Sequence, residues 1–144
     1  MTTAIDTNIF SALWSGEALA FEVLEALGDL QKIGPLIICG VVYCELQAHP
    51  LVRPAFVDKF LLETGVEVDT ALSREIWLEA GLRFARHSKR KRGSAVQGRA
   101  LNKRLADFIV GSHALLNANV LLTLDKRRYK TDFKELKLIE IGAS

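Results

Sequence analysis

RLADFIVGSHALLNANVLLTLD, residues 104–125, is the stretch on which the fold turns. Its first part continues a helical pattern that runs from Leu101 to Asn117, with Leu101, Leu105, Phe108, Ile109 and Leu116 on one face. Val120 to Leu124 then forms a near-continuous apolar run, the mark of a strand buried on both faces, and Asp125 follows it directly. Helix, buried strand, acid: the same order can be sought elsewhere. Thr3-Ala4-Ile5 is a short apolar approach to Asp6, followed by a helical pattern over Asn8 to Trp14 that stops at Ser15-Gly16. Leu36 to Cys39 is a second apolar run, bounded by Gly34-Pro35 and Gly40, and a helix over Val41 to Ala48 follows it and ends at Pro50.

The intervening segments supply crossovers. Leu19, Val23, Leu24, Leu27 and Leu30 recur at helical spacing between Glu17 and Lys32. Pro54 to Glu63 reads as a helix with proline at its start, where a missing N–H costs little. Val66 to Val68 is a short strand or an extended link. Thr70 to His87 is the longest amphipathic helix, with Leu72, Ile76, Trp77, Ala80 and Phe84 as its apolar face. Ser88 to Ala100 is a basic loop or a frayed helix end, Lys126 to Phe133 an irregular basic turn, and Leu136 to Ile141 a final strand. Strands separated by helices imply right-handed crossovers. The expectation is an α/β domain with a central parallel sheet of four to five strands flanked by helices, one domain over residues 1–144.

In an open parallel sheet, ligands bind outside the carboxyl ends of the strands. Asp6 and Asp125 each follow a strand, and Glu45 lies about one helical turn beyond the strand at Leu36 to Cys39. Asp107 falls in the early turns of the helix that precedes Asp125's strand. Carboxylates gathered on one rim repel one another, and a divalent cation removes that penalty. Hard oxygen ligands with room for water favour Mg²⁺, with Mn²⁺ as a substitute, over zinc. Each residue also has a plainer reading: Asp6 or Asp125 as a helix N-cap, Glu45 as an exposed helical residue, Asp107 as a surface ion pair with Arg104, and Asp132 as a solvent-facing turn residue.

Composition fits a soluble globular chain: 49% hydrophobic and 25% charged residues, with no apolar run approaching the roughly 18 residues of a membrane span. Met1 to Phe10 lacks the cationic start of a secretory signal, so the expected location is the cytoplasm. Cys39 and Cys44, the only cysteines, are expected as reduced core thiols. The net charge of +2 conceals an asymmetry. Between Glu79 and Asp107 there is no acidic residue, and nine of the 19 Lys and Arg lie there, which leaves the remainder at −7. Lys89, Arg90, Lys91 and Arg92 are the densest part, a phosphate-binding surface or a solvated loop.

Taken together, AIDTNIF at 4–10, LIICGVVYCEL at 36–46 and the opening stretch at 104–125 resemble the PIN-domain ribonucleases, in particular the VapC-type toxins of bacterial toxin–antitoxin pairs. Each motif alone is weak, but their order and spacing span nearly the whole chain. Gly40 departs from the pattern, standing where the family often has a capping serine. The resemblance implies that Asp6, Glu45, Asp107 and Asp125 hold one or two Mg²⁺ ions. It implies an endoribonuclease in which a metal-activated water cleaves an RNA phosphodiester, leaving a 5′-phosphate and a 3′-hydroxyl. Thr7, Asn8 and Thr123 would support the carboxylates or the scissile phosphate. It implies a cognate antitoxin, and a homodimer is expected. Phe10, Leu13 and Trp14 are either core or a groove for a partner helix. No serine or cysteine nucleophile is required, and His49, His87 and His113 are given no catalytic part. Three alternatives stay open: a PIN nuclease of RNA processing, a non-catalytic RNA-binding module, and an aspartyl phosphatase, the last disfavoured because position 8 is Asn.

Overall fold

The computed structural model of the chain describes residues 1–92 and 104–141. The elements run β1 (Thr3–Ile5), α1 (Thr7–Trp14), α2 (Ala20–Ile33), β2 (Leu36–Cys39), α3 (Gly40–Leu46), α4 (Pro54–Thr64), β3 (Val66–Asp69), α5 (Arg74–Arg92), α6 (Leu105–Asn117), β4 (Val120–Thr123), α7 (Arg127–Lys130) and β5 (Leu138–Glu140). All strand pairings are parallel, in the order β3-β2-β1-β4-β5. The expected α/β architecture is therefore present, a five-stranded parallel sheet flanked by seven helices among the described residues.

The first strand is the central one. Thr3 pairs with Leu36 on one side and with Val120 on the other. The chain winds outward from β1 through β2 and β3, then returns across the sheet to β4 and β5. That reversal puts a topological switch point between β1 and β4, where α/β sheets open a crevice at the strand carboxyl ends. The inner strands β1, β2 and β4 are almost wholly apolar because helices cover the sheet. Ala4, Ile5, Leu36, Ile38, Leu121 and Leu122 are all buried. Val66 to Asp69, ambiguous in the sequence, is a strand because it pairs along its length with β2.

Several boundaries and faces differ from the sequence reading. The long helix α5 runs on to Arg92, so that residues 88–92 of the basic segment, expected as a loop or a frayed helix end, are a helix end. Its last turn is cationic, which the negative end of the helix dipole favours. Residues 93–103, including Arg99, Leu101 and Lys103, lie outside the described residues. The buried stripe of α5 is Ile76, Ala80, Arg83 and His87, and Trp77, expected on that face, is exposed. Arg83 can stand on the stripe because every arm of its guanidinium is used. Nε donates to Glu79 at 2.7 Å, Nη2 to Glu135 at 2.6 Å and Nη1 to the Asp132 carbonyl at 2.6 Å, while the guanidinium lies 4.8 Å from the centre of the Phe133 ring.

Leu24, Leu105 and Leu116 are likewise exposed rather than core. Cys39 is buried, but Cys44 faces solvent. Lys126 to Phe133 contains the short helix α7 rather than an irregular turn. Phe10 is fully buried, and Trp14 packs edge-on against Phe56 and Phe60 at 5.5 and 5.4 Å. These aromatics between α1 and α4 thus fill their space with one another. No described helix is long and apolar enough to cross a membrane.

Candidate active site

Asp6 leaves β1 in extended geometry and caps α1, its Oδ1 accepting from the Thr7 N–H at 2.8 Å. The capping role and the proposed ligand role fall on one residue because the strand-to-helix turn aims the carboxylate out of the sheet's end. Its other oxygen, Oδ2, accepts from Thr123 Oγ1 at 2.9 Å and from the Tyr129 phenol at 2.8 Å. Asn8 is oriented by accepting the Leu124 N–H on Oδ1 at 3.0 Å, and this turns its amide nitrogen toward Asp6 and Thr123, each at 3.4 Å.

The remaining acids join Asp6 through intermediaries. Thr7 Oγ1 donates to Glu45 Oε1 at 2.7 Å, so one threonine touches Asp6 with its backbone and Glu45 with its side chain. Thr123 Oγ1 accepts from the Asp125 N–H at 3.0 Å while donating to Asp6. Asp107 sits in the first turn of α6, where its Oδ2 accepts from the Arg104 N–H at 3.2 Å. The reading of Asp107 as a surface ion pair with Arg104 does not hold. Asp107 is buried and its charged neighbour is Arg128, at 3.8 Å. The Arg104 guanidinium instead lies 3.9 Å from Glu45, and Arg128 Nε lies 3.2 Å from Asp125. The contacts close a ring: Asp6, Thr7, Glu45, Arg104, Asp107, Arg128, Asp125, Thr123 and back to Asp6.

The electrostatics follow from depth. Burial raises the Asp6 carboxyl above its ordinary range, against the opposing pull of hydrogen bonds from Tyr129, Thr123 and Thr7. Burial and the Asp6 charge together push the Tyr129 phenol far upward, so it remains neutral and acts as a donor. No described group of three or more acidic, histidine or cysteine side chains is already drawn into a ligand cage. The ring explains this: threonine hydroxyls and arginines stand between the acids. The donor set still fits a hard divalent cation. All four acids offer carboxylate oxygens, and the two guanidiniums leave two of their four negative charges uncompensated when all are ionised.

Tyr129 and Arg128 were not foreseen. The only sequence signal was an aromatic four residues after Asp125 within a basic turn. Asp132 overturns its reading as a solvent-facing turn residue. It is buried and paired with Arg90, with His87 Nδ1 at 3.5 Å. Arg90, expected to face RNA, thus anchors the end of α5. His113, six residues beyond Asp107 on α6, is buried against Asp69 at 3.0 Å.

Residues 3–134 match the family model of the PIN domain. The chain belongs to the PIN-domain family. Two solved structures share its fold at 21% identity each. One is VapBC2 from Rickettsia felis, bound to a DNA fragment from its promoter (TM-score 0.63, covering 98% of this chain and 99% of that one). The other is VapBC-1 from nontypeable Haemophilus influenzae (TM-score 0.64, covering 97% and 98%). No curated protein sequence matches the chain. In this PIN domain the four motif acids stand at the switch point of the sheet, three of them carried there by the ends of β1, β2 and β4, and the fourth by the start of α6.

Proposed function

We propose that this PIN domain is a Mg²⁺-dependent endoribonuclease and the toxin of a toxin–antitoxin pair acting in the cytoplasm. The closed ring that links Asp6, Glu45, Asp107 and Asp125 at the switch point carries the reading. A divalent ion, when bound, supplies the charge that acidifies an attacking water and neutralises the scissile phosphate. Asp6, Glu45, Asp107 and Asp125 would hold it, with Mn²⁺ able to replace Mg²⁺. Thr7 and Thr123 fix the carboxylates by donating to them. Asn8 is locked by the Leu124 N–H and presents its amide to the same face. Tyr129 holds Asp6 from beneath. RNA hydrolysis by this route leaves a 5′-phosphate and a 3′-hydroxyl. Lys89, Lys91 and Arg92 are proposed to touch the RNA backbone, with Arg90 also tied to Asp132.

The partner reading is supported by the VapBC assemblies that share the fold. A cognate antitoxin would cover the acidic rim, and an arginine or lysine from it would satisfy the carboxylates. The free toxin is proposed to pair as a homodimer. The test is cleavage of total RNA by the purified chain with Mg²⁺, Mn²⁺ or EDTA, alongside Asp6→Asn. Cleavage that requires the metal and Asp6 is expected. Metal-independent cleavage, or full activity in Asp6→Asn, sinks the nuclease mechanism. Co-expression with the small reading frame beside the gene tests the toxin reading: co-purification and lost cleavage are expected. Cleavage without toxicity or a partner would assign the chain to RNA processing instead.

A further inference from the structure

Arg128 has no task in that reaction, yet it sits among its ligands. Nε lies 3.2 Å from Asp125 Oδ2 and Nη1 lies 3.8 Å from Asp107 Oδ1. One guanidinium therefore reaches two carboxylates, one on α6 and one on the turn between β4 and α7. Its position is fixed by its neighbours. The Arg128 N–H bonds to the Asp125 carbonyl at 3.3 Å, and the next residue, Tyr129, is buried with its phenol on Asp6. Arginine stays protonated at any physiological pH, so this charge cannot be withdrawn by titration. It can be withdrawn by rotation, because the Arg128 side chain is 39% exposed on a long flexible stem. Pairs this exposed are weak, which suits exchange rather than permanent closure.

We propose that Arg128 is a tethered counter-cation, which holds Asp107 and Asp125 together in the metal-free protein and which a divalent ion must displace to bind. The inference rests on the reading of the four acids as metal ligands. It accounts for two observations at once: the acids are joined through guanidiniums rather than gathered into a cage, and an arginine lies inside a site that calls for a metal. Removing the charge has two opposite effects. The metal-free protein loses its compensation and the carboxylates repel more strongly. The incoming ion loses its competitor.

The experiment is Mn²⁺ titration by calorimetry on the whole chain, with thermal melting in EDTA, for wild type, Arg128→Gln, Arg128→Lys and Asp6→Asn. Arg128→Gln is expected to bind Mn²⁺ about five- to tenfold more tightly, equivalent to about 1 kcal/mol, and to melt lower in EDTA. Arg128→Lys, which keeps the charge, should stay near wild type in both. Equal affinity in wild type and Arg128→Gln, with Asp6→Asn weaker than either, overturns the counter-cation and leaves the metal reading standing. Weaker binding in a folded Arg128→Gln also overturns it, since Arg128 would then support the ligands. No Mn²⁺ binding to any variant overturns both. Should Arg128→Gln not fold, Arg128→Met, which keeps the apolar stem, carries the same comparison.

Discussion

Asp6 is the residue on which most of the site depends, and its burial has a thermodynamic consequence of definite sign. Its carboxyl is pushed above the ordinary value of 3.8 chiefly by desolvation. A raised acid contributes stability that is complete below 3.8 and is lost as pH rises through the higher folded value. At neutral pH, above the ordinary value, the metal-free protein therefore carries a cost for burying Asp6. Asp6→Asn should melt higher than wild type at pH 7 in EDTA, with the difference closing toward pH 4, while cleavage is abolished. A lower melting temperature at pH 7 would mean that the hydrogen bonds from Thr7, Thr123 and Tyr129 outweigh desolvation. The four acids were legible in sequence because each follows a strand or opens a helix at a fixed offset. Tyr129 and Arg128 were not. Their roles depend on where a four-residue helix lands after β4, and no periodicity marks so short an element. Asp132 was misread for a related reason: the arginine that buries it lies 42 residues earlier.

At the scale of elements, α6 shows how closely the helices fit around the site. Gly111 faces the Phe133 ring so closely that a β-carbon there would lie 2.6 Å from ring atoms. Phe133 is itself buried, and its neighbours Phe108 and Tyr129 give it little room to retreat. Gly111→Ala should therefore destabilise by about 1–3 kcal/mol despite alanine's better helix propensity. For a chain of this size that is roughly 2–4 °C of Tm per kcal/mol, read by calorimetry. An unchanged Tm would show that Phe133 can swing aside. Element existence was largely legible, since β1, β2, β4 and the long helices announce themselves by apolar runs and spacing. Helix rotation was less so. Trp77 and Arg83 both sit in α5, and hydrophobicity alone assigned the core to the tryptophan. The arginine won because Glu79, Glu135 and the Asp132 carbonyl satisfy every arm of it, a fact contained in tertiary structure alone.

Across the whole molecule, the basic end of α5 and the acidic ring are tied to the same short segment, α7 and the turn after it, through Arg90 and Asp132. Neutralising Lys89, Arg90, Lys91 and Arg92 together should weaken RNA binding alike across sequences. The log–log salt dependence should flatten by about 0.7–0.9 for each phosphate that the protein no longer neutralises. Arg90→Ala alone should also lower Tm, because it removes a cationic partner of a buried carboxylate, whereas Lys89→Ala should not. An unchanged salt slope in the quadruple variant would make the stretch a solvated helix end.

The central position of β1 bears on how the protein is made. β1 needs partners on both sides, and its second partner, β4, lies over a hundred residues later in the chain. Until Val120 to Thr123 emerge, β1 has one open edge, and Asp6 lacks Thr123 and Tyr129 altogether. Folding from such distant pairings is slow, and an unpaired apolar edge invites association in the interval. A nascent chain that has not yet passed residue 129 therefore carries an incomplete carboxylate ring, and the site can form only after β4 and α7 have emerged.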